Sequence, residues 1–86
     1  MSARSFLTYH VWCRTDALAP DQHLVTVFAV PASSIEGAEA TSESRLFVSC
    51  ELAASEGALM TRAMTRRLVD AGHTVGQVTV LDPRKD

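Results

Sequence analysis

The chain has 86 residues, the size of one domain. With 47% hydrophobic and 21% charged residues it reads as globular and not disordered. A net charge of −2 lacks the basic footprint of a general electrostatic nucleic-acid binder, so nucleic acid is not the expected partner. A domain this short buries a modest share of its surface and gains from association.

No apolar run approaches the length of a membrane-spanning helix, so no membrane partner is expected. The start, Met-Ser-Ala-Arg-Ser-Phe, lacks the continuous apolar stretch of a secretory leader, which makes the cytoplasm the expected compartment. Cys13 and Cys50 do not make a disulfide framework; in a reducing compartment they read as buried thiols.

Residues 5–14 (SFLTYHVWCR) predict a strand, being aromatic and β-branched with no Gly or Pro. Alternation puts Leu7, Tyr9, Val11 and Cys13 on one face and Phe6, Thr8, His10, Trp12 and Arg14 on the other. Residues 15–22 carry turn formers, with Pro20-Asp21 the strongest signal. Residues 23–30 (HLVTVFAV) predict a second strand, antiparallel to the first because the connection is too short for a crossover. Both of its faces are apolar, so periodicity does not orient it. The small set Val25, Val27 and Ala29 suits a close helix contact, which turns Phe28 outward.

Pro31 ends that strand or places it at an edge. Residues 32–44 are small, polar and acidic and predict a mobile loop, with Ser33 and Glu36 spaced as a capping box for a short helix. Residues 45–52 (RLFVSCEL) predict a third strand, with Leu46, Val48, Cys50 and Leu52 on the core face and Phe47 opposite. A helix follows, with Ser55 as expected N-cap and Gly72 as expected C-terminal stop. Its apolar stripe is Gly57, Met60, Met64, Leu68 and Ala71, and Arg62 and Arg66 lie on the far side. Residues 74–81 predict a last strand, stopped by Asp82-Pro83, and residues 82–86 a frayed tail.

The expected fold is therefore a single two-layer α+β domain in the order β-β-loop-β-α-β. Its mixed four-stranded sheet carries one main helix on one face. If the third and last strands with the helix form a βαβ unit, those two strands are parallel.

Phe6, Trp12, Phe28 and Phe47 then share the face that the helix does not cover. Four half-exposed rings leave on the order of 300–500 Å² of apolar surface, the size at which patches on monomers are functional. The expected partner-binding residues are Phe6, His10, Trp12, Arg14, Phe28 and Phe47, with Arg62 and Arg66 as a basic contact for an acidic partner. Glu36, Glu39 and Glu43 are the acidic groups that would meet the basic cluster Arg62, Arg66 and Arg67 across a dimer.

Chemistry is weakly signalled. His10 and Cys13 are three apart on a strand and point to opposite faces, so they do not form a metal pair. The glycines are isolated and make no phosphate loop. His10 is the one weak catalytic candidate, and no cofactor or metal is expected. The leading reading is a small non-catalytic protein-interaction module. It is a homodimer that binds another, unidentified protein as a regulator or inhibitor, of the kind phages and mobile elements encode. The alternative is a small ligand-binding protein or enzyme that uses the aromatic face as a pocket with His10. A third is single-stranded nucleic-acid binding by base stacking.

Overall fold

The computed structural model describes residues 8–32 and 40–81. It holds β1 (Thr8–Ala19), β2 (Gln22–Pro31), β3 (Thr41–Phe47), α1 (Cys50–Asp70) and β4 (Thr74–Val80). The strands form one four-stranded sheet in the order β3-β2-β1-β4. β2 is antiparallel to both its neighbours and β4 is parallel to β1. The sheet is thus mixed, and the expected α+β architecture and element order are those of the structure. β3 and β4 run in the same direction but lie at opposite edges, so α1 carries the chain across the whole sheet between them.

The β1–β2 hairpin is longer than expected. Residues 15–19 continue β1, and only Pro20 and Asp21 form the turn. Pro20 cannot take the positive φ of the tight primed turns, and the register shifts between Ala17 and Ala19 to accommodate it.

The core lies between α1 and the two central strands. Tyr9, Val11 and Cys13 of β1 and Val25, Val27 and Ala29 of β2 are buried against Ala53, Met60, Met64 and Leu68 of α1. The small inward set on β2 lets the helix come close. A Cβ on Gly57 would stand 3.2 Å from Cys13 Sγ and 3.3 Å from a Val25 methyl. Cys13 Sγ itself donates to the Gly57 carbonyl at 3.7 Å. Glycine at this position allows the helix to settle on the valine face, and that choice leaves the other sheet face bare.

The third strand departs from expectation. β3 begins at Thr41 and ends at Phe47, so the polar segment 41–44 is edge strand and not loop. Residues 50–52 are helix, capped by Ser49 and not by Ser55. Ser49 has extended backbone angles and its Oγ accepts from the Leu52 N–H at 3.1 Å. Cys50 is the first helical residue, half-buried, and not a strand residue beside Cys13. Phe47 stands opposite His23 in the register, and with Val25 opposite Arg45 this puts Phe47 on the helix side, where it packs against the core. The expectation that Phe47 joins the bare face is overturned; Leu46, paired with Leu24, takes that place.

The helix ends as its sequence predicts. Gly72 has φ 94°, a conformation that glycine adopts without a Cβ penalty. The Gly72 N–H donates to the Val69 carbonyl and the His73 N–H to the Leu68 carbonyl, both at 2.9 Å. This is the paired Schellman arrangement. Phe6, Leu7, Ser33, Glu36, Glu39 and the tail from 82 lie outside the described residues.

Candidate interaction surface

The bare face is built from the alternate residues of the same central strands. In the β1–β2 register His10 stands opposite Val30, Trp12 opposite Phe28, Arg14 opposite Thr26 and Asp16 opposite Leu24. Cross-strand partners share a face, so β2 does turn Phe28 outward. β3 adds Ser42, Ser44 and Leu46 opposite Phe28, Thr26 and Leu24, and β4 adds Gln77 and Thr79 opposite His10 and Trp12.

The Trp12 and Phe28 rings are stacked, nearly parallel at 5° with centroids 6.4 Å apart. Such a pair is worth about 0.5–1.5 kcal/mol beyond the area it buries, which holds both rings in one orientation. Trp12 is 37% exposed and Phe28 half-buried, while Leu46, beside Leu24 at the far end of the face, is 58% exposed. Val30 is also exposed. On the face the pair is bordered by His10, Arg14 and Thr79 around Trp12 and by Thr26, Val30 and Ser42 around Phe28, a mostly polar surround.

Polar groups at the rim are balanced in sign. Arg14 Nε donates to Asp16 Oδ2 at 3.1 Å on the same strand. At the other end of the face, His10 packs over β4 where the β1–β4 register shifts around Gly76. A Cβ on Gly76 would come within 3.2 Å of His10 Cε1, so the ring lies directly on glycine backbone. Its Nδ1 is buried and has no hydrogen-bond partner among the described residues. A buried polar atom without a partner costs about 1–3 kcal/mol, and this one lies against Gly76, out of reach of a group docking from solvent. Neither of the residues opposite His10, Val30 and Gln77, is an acid or a nucleophile.

Arg62 and Arg66 belong to a second place. With Thr61, Thr65, Val69, Asp70 and Val78 they line an open groove of about 530 Å³ between α1 and β4. Arg67 turns the other way: it donates to Glu43 Oε1 at 3.1 Å and lies against Met64 Sδ. The expected pairing of Glu43 with the helix arginines is therefore formed within one chain, by Arg67 to β3.

The residues singled out in the sequence thus divide. His10, Trp12, Arg14 and Phe28 share the bare face, Arg62 and Arg66 flank the groove, and Phe47 is in neither. Leu24 and Val30 lie on the face with Phe28, as the alternation of β2 implies, whereas Leu46, expected on the core side, and the groove valines Val69 and Val78 were not anticipated. Among the described residues, no three His, Cys, Asp or Glu side chains sit together as a metal site, and no helix is long and apolar enough to cross a membrane.

The fold is a two-layer α+β domain with one sheet face that no described element covers. No protein-family model matches the chain, and no curated protein or solved structure is found to be similar to it.

Proposed function

We propose that this chain is a non-catalytic protein-interaction module, which self-associates and uses the bare sheet face to bind another protein. The observation that carries the reading is the stacked Trp12–Phe28 pair at the centre of that face, with Trp12 exposed. Tryptophan on a fixed backbone is the commonest kind of binding hot spot, because it buries much area and loses little side-chain freedom. The rim charges cancel in the Arg14–Asp16 pair, so the fitting partner presents an apolar surface and needs no charge of its own.

The test is retention of proteins from the native host by the wild-type chain and by Trp12→Ala. A protein retained by the first and lost by the second is then purified and titrated against the chain. Because Trp12 is the only tryptophan, its emission reads the face directly. A blue shift and loss of acrylamide quenching on titration support the reading. Equal retention by both chains, or a Trp12 that stays quenchable in the complex, overturns it. Protection of Trp12 by a single-stranded oligonucleotide in place of a protein overturns it in favour of base stacking.

A further inference from the structure

The two edges of the sheet differ. β3 carries Glu43 and Arg45, charges that discourage pairing with another strand. β4 (TVGQVTV) carries no charge and no proline. Among the described residues no strand pairs with its outer side. The Leu81 N–H donates to the Cys13 carbonyl, so residues 77, 79 and 81 point their main chain at β1. By the alternation of a strand, Val78 and Val80 point theirs away from the sheet. The same two valines, opposite Val11 and Cys13, have their side chains on the helix side. There α1 covers them poorly: Val78 is 47% and Val80 48% exposed, and Val78 lines the groove with Val69.

We propose that a second copy of this chain docks on β4, antiparallel about a two-fold axis at Thr79. That register places Val78 of each copy opposite Val80 of the other, with the outward N–H and carbonyl groups of both residues paired across the seam. The two four-stranded sheets become one sheet of double width with both helices on one face. The two grooves merge into a single cleft, with Arg62 and Arg66 along each wall. A second β4 fits because it is uncharged and apolar on the side facing the groove. A charged strand would set its charges against Val78 and Val80.

The inference deepens the self-association in the proposed function and rests on that part of it. The seam itself is narrow, so the dimer dissociates on dilution, with a Kd on the order of micromolar.

The test is sedimentation across a concentration series, joined to directed cross-linking in a Cys50→Ser background. The wild-type chain is expected to pass from monomer to dimer. Val78→Lys should weaken the dimer by about a hundredfold, and Val80→Pro, which removes an outward N–H, should do likewise. Circular dichroism melts check that both variants fold. Thr79→Cys, facing its own copy across the axis, should oxidise to a covalent dimer, while Ser44→Cys on the opposite edge should not. A chain that stays monomeric up to about a millimolar overturns the proposal. So does cross-linking through Ser44→Cys in place of Thr79→Cys. A dimer lost with Trp12→Ala and kept with Val78→Lys also overturns it, and places the second copy on the bare face. Loss of the dimer with Val78→Lys while Trp12 still governs partner retention separates the two surfaces.

Discussion

Gly57→Ala tests why the helix lies where it does. Two effects of opposite sign compete at this position. Alanine is the better helix residue by about 1 kcal/mol. Its Cβ, however, would meet Cys13 Sγ at 3.2 Å and a Val25 methyl at 3.3 Å, both closer than ordinary van der Waals contact. Overpacking of this kind costs about 1–3 kcal/mol. Both neighbours are fully buried between sheet and helix and have little room to give. The packing cost therefore wins, and the expected net effect is destabilisation by about 0–2 kcal/mol. Urea unfolding followed by circular dichroism measures it as a lower midpoint at unchanged slope. Cys13→Ala in the same chain removes the nearer atom, so the double variant should lose about 0.5 kcal/mol or more less than the sum of the singles. A Gly57→Ala chain that is more stable by about 1 kcal/mol would show that helix propensity alone operates, and that the close approach is not what orients the sheet.

Other predictions follow from the helix ends and the thiols. Ser49→Ala should cost about 1 kcal/mol, because it removes the oxygen that accepts from the Leu52 N–H. Ser55→Ala, inside the helix, should be neutral or slightly stabilising; thermal melts compare the two. Gly72→Ala should cost about 1 kcal/mol, because the residue is held at φ 94°. Under native conditions a thiol reagent should label the half-buried Cys50 well before Cys13, which is buried under Gly57. Peptide mapping of the labelled chain reads the order, and Cys13 reacting first would contradict the placement of α1.

The hairpin, the last strand and the helix end were legible because each has a local physical signal. Aromatic and β-branched alternation marks β1, Thr and Val mark β4, and Gly72 sits where only a residue tolerant of positive φ fits. β3 was not legible, and the reason is its position. An edge strand exposed along most of its length has no need of apolar residues, so Thr41 to Ser44 read as loop. The apolar run that follows, Leu46 to Leu52, drew the strand too far forward, although Ser49 turns the chain into the helix. Face assignment depends on parity, and one residue of difference exchanges the two faces of a strand. Phe47 and Leu46 changed places for that reason alone. Phe28 could not be oriented from periodicity, since β2 is apolar on both sides. Its orientation follows from the valines opposite Gly57, which is a tertiary contact and not a local pattern.

The most direct measurement of the bare face as a docking surface is Trp12 emission and acrylamide quenching in the free chain and in its complex. In the free chain at any concentration the account predicts a partly quenchable Trp12, because the β4 seam leaves that face open. In the complex it predicts a blue-shifted Trp12 protected from the quencher, and loss of the complex in Trp12→Ala. A Trp12 already fully protected in the free monomer, or one equally quenchable in the complex, would contradict it.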